Sequence, residues 1–385
     1  MTVYIHIPFC RKKCSYCDFV SYSGFNEKTV DLYLKCLARE MENTDCQRQE
    51  CQSRECQSRA AAGLSADNTL CADNTLYIGG GTPSLLSCSQ MDYLFGRIKM
   101  TFGDDVFAEV SVEVNPESVA DDKLTLMRNA GVNRLSFGLQ SFSERELKGL
   151  GRVHTASQFE RAYVSARQRG FKNINIDLMN GIPGQNMESW KETLNRVVHL
   201  LPEHISIYPL TVEPGTVFQQ LGIKTDDDLQ ADMYESAGRF LLSQGYQQYE
   251  ISNFSLPGFR CRHNLRYWKN ESYYGFGVSA VSYNGGVRKK NTTDINKYIK
   301  AIENGSDPAV ETERLTGKKK MAERIMLGLR LTGEGINLSS EEAVLFEDKL
   351  IGLKRTGLLE KNETNGWRLT RRGQYLSNFV FREIL

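Results

Sequence analysis

The chain opens with the apolar run Val3-Tyr-Ile-His-Ile7 and, directly after it, Pro8-Phe-Cys10-Arg-Lys-Lys-Cys14-Ser-Tyr-Cys17, three cysteines spaced C-x3-C-x2-C. What surrounds that stretch decides the fold. Val30, Leu34, Leu37 and Met41 recur on one helical face, Leu76–Ile78 form a short apolar run, and Met91, Leu94, Phe95 and Ile98 recur again at helical spacing. The alternation continues with Val110–Val114, a helix near Asp121–Ala130, Arg134–Phe137, a helix near Ser157–Arg169, Ile174–Leu178, a helix near Glu188–Leu201, and Ile205–Leu210. A last helix runs from about Asp228 to Gln244 and is closed by Gly245. Strands alternating with helices predict an α/β fold with a parallel sheet and right-handed crossovers. Six such units, rather than the eight of a closed barrel, predict a partial (β/α)6 TIM-like barrel over 1–245.

Two further regions follow. Residues 246–311 are expected to connect and close the barrel, and 312–385 to form a smaller α+β, winged-helix-like domain with a hairpin around Gly366. Its basic runs, Lys318–Lys320 and Arg371–Arg372, suit solvated faces. Between 43 and 74 the periodicity is lost. Cys51-Gln-Ser-Arg54 is repeated from Cys56, and Ala66-Asp-Asn-Thr-Leu70 from Ala72, so this reads as a low-complexity loop insertion. The even spacing of Cys46, Cys51 and Cys56 then follows from duplication, not from a metal site.

The 385 residues carry 48 Lys+Arg against 47 Asp+Glu, a net charge of +1, so no nucleic-acid partner is expected. The N-terminus has no charged region leading into a long apolar stretch, and no run approaches the ~18 apolar residues of a membrane helix, so a soluble, cytoplasmic protein is expected. The ten cysteines are unevenly distributed. A tight N-terminal cluster favours metal or redox chemistry over a disulfide framework.

Three thiolates in one loop can hold three irons of a cubane 4Fe-4S cluster and leave the fourth iron open to an exogenous ligand. A zinc finger would need a second pair of ligands nearby. Other polar residues fall at strand ends. Gly79-Gly-Gly81-Thr82-Pro83 follows the second strand, Glu113 closes the third and Gln140 follows the fourth. Arg152 lies in Gly151-Arg-Val-His154, and Asp177 is near the end of the fifth strand. This is the face where β/α barrels place their sites. A carboxylate suits hydroxyl groups and a guanidinium suits a carboxylate, while any one of these residues alone could serve a salt bridge or hydrogen bond at the barrel mouth. His6 and His154 suit structural roles as readily as ligand roles.

On these motifs the chain resembles radical SAM proteins and, within them, the coproporphyrinogen III oxidase-like group. The resemblance implies a 4Fe-4S cluster on Cys10, Cys14 and Cys17, with S-adenosyl-L-methionine (SAM) on the open iron and cleaved by one electron to a 5′-deoxyadenosyl radical. It implies that Tyr4 lies beside the cluster and that Gly80, Gly81 and Thr82 meet the methionine end of SAM. Glu113, Gln140, Arg152 and Asp177 would hold the ribose, carboxylate and sulfonium region.

The dehydrogenase branch of the group carries a fourth cysteine two residues after the third, where this chain has Phe19, and an extension ahead of the cluster strand, which here begins at Val3. Both differences, and His263-Asn-Leu-Arg-Tyr267-Trp268, make the chain resemble the haem chaperone branch. That implies haem as cargo, with His263 as an axial ligand, Tyr267 and Trp268 over a porphyrin face and Arg266 near a propionate. His263 and Trp268 equally suit a barrel-closing core. The implied partners are haemoprotein acceptors such as respiratory enzymes and an electron donor, with room for a homodimer and for membrane association through partners. An oxygen-independent coproporphyrinogen dehydrogenase, or a radical SAM enzyme with another substrate, remain alternatives, and no residue is assigned a catalytic role.

Overall fold

The computed structural model describes residues 1–44 and 73–385. The expected insertion, with Cys46, Cys51 and Cys56, lies almost wholly outside the described residues. Six parallel strands, β1 (Thr2–Ile7), β2 (Thr75–Gly80), β3 (Glu109–Val114), β4 (Arg134–Gln140), β5 (Ile174–Asn180) and β6 (His204–Pro209), stand side by side in chain order. All six expected strands are present, each within two or three residues of its predicted bounds.

Period-two alternation sorts their side chains. Val3, Ile5, Leu76, Ile78, Val112, Leu135, Phe137, Ile176 and Ile207 point outward into one large core under the helices. That core is sealed by amphipathic helices such as Glu27–Asn43, which buries Val30, Leu34, Leu37 and Met41. The register places Tyr4 beside Tyr77, Glu113 beside Ser136, and Asp177 beside Ser206, so the other face is polar. Strands of a fully packed parallel sheet are apolar on both faces. A polar inner face marks a barrel whose interior is a site, not a core.

The arc is open, because β1 and β6 do not pair. Residues after 245 flank the opening. Continuing the strand numbering, β7 (Gln247–Gln248) and β8 (Asn253–Ser255) extend the β6 edge antiparallel, and β9 (Tyr274–Phe276) joins β1 in parallel, giving a nine-stranded sheet. The helix Arg262–Trp268 packs on β2 between these edges.

Beyond it, β10 (Val281–Asn284), β11 (Val287–Asn291) and β12 (Ala309–Arg314) form an antiparallel sheet, so the expected boundary at 312 falls inside a strand. Helices Gly317–Leu329, Ser340–Arg355 and Ser377–Ile384, with the hairpin β13 (Leu359–Lys361) and β14 (Trp367–Leu369), share a separate core around Ile325, Phe346, Leu350, Trp367 and Val380. This unit is tied to the barrel edge at Gln248, whose side chain accepts from Arg371 at 2.6 Å and whose carbonyl accepts from Thr332 Oγ1 at 3.0 Å. Among the described residues no helix is long and apolar enough to cross a membrane.

Candidate functional site

The loop leaving β1 is held by backbone bonds at several points: Cys10 N–H to the Tyr22 carbonyl at 2.9 Å, Ser15 N–H to Leu150 at 3.0 Å, and Phe218 N–H to Ser15 at 2.9 Å. Gly151 permits the Ser15 contact, since it has φ +76° and a Cβ there would lie 2.8 Å from Ser15 Oγ. Cys10, Cys14 and Cys17 are half-buried free thiols around a cavity of about 390 Å³ at the C-terminal ends of the strands. Cys10 Sγ lies 3.5 Å from Thr82 Oγ1, and Arg152 Nη1 donates to Cys14 Sγ at 3.7 Å. Burial pushes the Cys10 thiol up and the Cys17 thiol up to about 11, so metal binding must displace their protons. Among the described residues no three His, Cys, Asp or Glu side chains converge to hold a single ion. A cubane fits the donor set better, because each soft thiolate takes its own iron.

The glycine run is stitched beneath this loop. Gly81 N–H donates to the Ile7 carbonyl and Thr82 N–H to the Phe9 carbonyl, both at 2.8 Å. Gly80 has φ +112°, and a Cβ on it would sit 2.5 Å from His6 Cε1. Its N–H donates to Glu113 Oε2 at 2.9 Å, while Tyr77 OH donates to Glu113 Oε1 at 3.0 Å. Burial, opposed by the Gly80 N–H and reinforced by Asp177, raises the Glu113 carboxyl to about 7.

Arg152 Nη2 donates to Asn115 Oδ1 at 2.8 Å and to the Gly138 carbonyl at 2.7 Å. Burial works against its charge, but Tyr16, Cys14 and Glu117 outweigh that and hold it protonated. His154 accepts from Arg152 Nε at 3.3 Å and is pushed down to about 3 by burial and then by Arg152, so it is neutral. Gln140 has φ +70°, unusual for a side-chain-bearing residue, at a register shift between β4 and β5. Asp177 accepts from Asn175 Nδ2 at 2.8 Å and Ser136 Oγ at 3.1 Å, and burial raises its carboxyl. Gly80, Gly81, Thr82, Glu113, Gln140, Arg152 and Asp177 all line the cavity that holds the three cysteines. Asn115, which bridges Thr82 and Arg152, was not singled out in the sequence.

Tyr4 lines a second, larger cavity of about 760 Å³ on the open side of the arc, where its ring stacks on that of Tyr77 and its OH bonds His6 Nδ1 at 2.9 Å. Tyr208, Tyr267, Trp268, Tyr273 and Tyr283 give this cavity an aromatic lining, and Met326, Leu327 and Arg330 reach it from the C-terminal unit. Its volume lies in the roughly 300–1,000 Å³ range of small-molecule sites. The two cavities share Phe19, Tyr77, Glu113, Tyr208 and Asn264 as a common wall. Phe19 is 63% exposed, at the mouth of both.

The helix Arg262–Trp268 lacks a side-chain cap of its own, and Glu109 supplies one by accepting from Arg262 N–H and His263 N–H, each at 3.0 Å. His263 is 1% exposed, with Nδ1 bonded to Thr75 Oγ1 at 3.0 Å and Nε2 to Tyr267 OH at 2.9 Å. Burial and then Arg134 push it down to about 3, so its ring is neutral with both nitrogens engaged. Arg266, expected near a propionate, lines neither cavity. Its guanidinium is taken up by Glu271 and by the Asp73 carbonyl, the latter at 2.8 Å. Arg288 and Arg330 are the guanidinium groups that line the larger cavity, and neither stands out in the sequence.

A strand-end cysteine loop over a polar partial barrel defines the radical SAM superfamily, whose sequence model matches residues 60–197. The Escherichia coli coproporphyrinogen III oxidase HemN, a radical SAM enzyme, superposes with a TM-score of 0.79 at 24% identity, over 100% of this chain and 89% of that one, and so shares the fold. The chain is 36% identical to the heme chaperone HemW of Bacillus subtilis (strain 168), over 100% of this chain and 99% of that protein. It is 34% identical to the heme chaperone HemW of Lactococcus lactis subsp. lactis (strain IL1403), over 100% and 97%. The chain belongs to the HemW family.

Proposed function

We propose that this protein is a haem chaperone that carries a SAM-ligated 4Fe-4S cluster on Cys10, Cys14 and Cys17 and passes haem to acceptor haemoproteins. The observation that carries the reading is the shared wall. A flat aromatic cargo in the larger cavity rests against Tyr77, Glu113 and Tyr208, which also line the cysteine-bearing cavity. The relatives' description as heme chaperones supports the same reading. When bound, the cluster and SAM supply one-electron chemistry at the SAM sulfonium. Arg152 and Glu113 supply a guanidinium for the SAM carboxylate and a carboxylate for its ribose hydroxyls, with Gln140, Asp177 and the Gly80–Thr82 backbone completing the cradle. Tyr267 and Trp268 offer ring faces to a porphyrin. His263, with both nitrogens bonded, serves by holding Tyr267 and not as the iron ligand.

Anaerobic reconstitution followed by SAM, reductant and either haem or coproporphyrinogen tests the reading. Stable haem absorbance without porphyrinogen turnover is expected, and turnover would move the protein to the dehydrogenase activity. Cys10→Ser, Cys14→Ser and Cys17→Ser should each abolish cluster absorbance, whereas Cys88→Ser should not. A full cluster in the first three would overturn the ligand assignment.

A further inference from the structure

Trp268 and Arg330 meet in the wall of the larger cavity from distant parts of the chain, one ending the helix Arg262–Trp268 and the other just beyond the helix Gly317–Leu329. The Arg330 guanidinium lies 4.2 Å from the centroid of the Trp268 ring. Each side chain carries a donor, Trp268 Nε1 and Arg330 Nε, that is shut off from solvent with no acceptor. Buried donors are almost always satisfied, so two of them on stacked side chains in one cavity wall signal a missing acceptor.

The protein does not supply it. Glu250, buried in the same wall, pairs its Oε2 with Arg330 Nη2 at 3.6 Å but does not reach Arg330 Nε or Trp268 Nε1, and its Oε1 accepts from Ser252 N–H at 3.0 Å and from Asn253. The other guanidinium in the cavity, Arg288, is already paired with Glu313 at 3.3 Å and with Glu323. Arg330 is likewise paired, with Glu250, but its Nε is left without an acceptor. A carboxylate matches it, because a planar two-oxygen anion can accept from Arg and an indole N–H together.

We infer that Trp268 Nε1 and Arg330 Nε form the anchor for a carboxylate side chain of the tetrapyrrole, a haem propionate. The inference rests on the haem-cargo reading above and goes beyond it by orienting the cargo. One propionate points to the seam between the barrel and the C-terminal unit, and the macrocycle lies along the tyrosine wall. Because Arg330 follows a C-terminal helix and Trp268 belongs to the segment flanking the barrel, the bound carboxylate also ties the two units together.

The test is to titrate the reconstituted full-length protein with haem and with haem dimethyl ester, whose propionates cannot accept as anions, reading absorbance and tryptophan fluorescence. Wild type should bind haem roughly ten-fold or more tightly than the ester. Arg330→Gln should bring haem affinity down toward that of the ester while leaving ester affinity unchanged, and Trp268→Phe should lower haem affinity by a larger factor than ester affinity. Trp268→Phe keeps an aromatic ring under Arg330 while removing the N–H and part of the ring area, so the ratio of haem to ester affinity remains informative if Arg330→Gln does not fold. Equal wild-type affinity for the two compounds, or variants that lose both equally, would overturn the anchor. Wild type that binds neither compound would overturn the cargo reading, and the anchor with it.

Discussion

Glu109, the first residue of β3, accepts the backbone N–H of His263 at 3.0 Å across 154 residues of sequence. The helix carrying the His-Asn-x-x-Tyr-Trp motif is only seven residues long and is capped by the barrel, not by its own sequence. Its orientation, and so the placing of Tyr267 and Trp268 in the cavity wall, is held by that carboxylate together with the His263–Thr75 bond. Glu109→Ala should cost about 2 kcal/mol in urea unfolding through the lost cap. It should also weaken haem binding while leaving SAM binding in place. Unchanged stability and haem affinity would show that the helix holds its place without the cap.

His263 is expected to act through Tyr267. His263→Gln, which keeps polar atoms near Thr75 and Tyr267, should lower stability by about 1–3 kcal/mol but retain most haem affinity and an unshifted Soret band. A shifted band with collapsed affinity would instead make His263 the iron ligand.

Glu113 predicts a pH dependence. Its carboxyl is raised to about 7, so below that pH it is largely protonated and above it an anion that can accept from ribose hydroxyls. SAM affinity should therefore rise about ten-fold between pH 6 and pH 8, and Glu113→Gln should flatten the profile. In the ligand-free protein the sign reverses. A raised carboxyl contributes stability that is fully present below its ordinary value of 4.5 and is lost as the pH climbs through about 7. Calorimetric titration with SAM at several pH values checks the first, and thermal unfolding without SAM the second.

Gly80→Ala places a Cβ 2.5 Å from the His6 ring at φ +112°. The backbone must move, at a cost of about 1–3 kcal/mol, and carry the Gly80 N–H away from Glu113. SAM binding should fall more than global stability does, measured by calorimetry beside denaturant unfolding. An alanine variant with wild-type SAM affinity would mean that the strain is absorbed by His6 alone.

Much of this architecture was legible beforehand. The β-strands and helices of the barrel follow hydrophobic periods that need no partner to be read, which is why the structure has a strand at Ile174–Asn180 and a helix at Asp121–Asn129 where the periods predict them. The candidate cavity residues on β2 to β5 were legible because a strand end in a β/α barrel faces a known side. The edges β7, β8 and β9 were not, since strands of two or three residues carry no period and exist only through pairing with β6 and β1. Asn115, Glu109 and Arg330 were not either. Each has an ordinary local context, and its role comes from a partner far away in the chain.

The sequence by itself determined the family-level facts: three cysteines in one loop, six strand-and-helix units and a motif ending in Tyr267-Trp268. These are local or periodic properties. Only the tertiary structure decided that Tyr4 belongs to the second cavity, that His263 has no free nitrogen, that Arg266 is spent on Glu271, and that Arg330 stacks on Trp268 with a donor to spare. The physical reason is that hydrogen bonds and charges act over a few ångströms, whichever residues the folded chain brings within that reach.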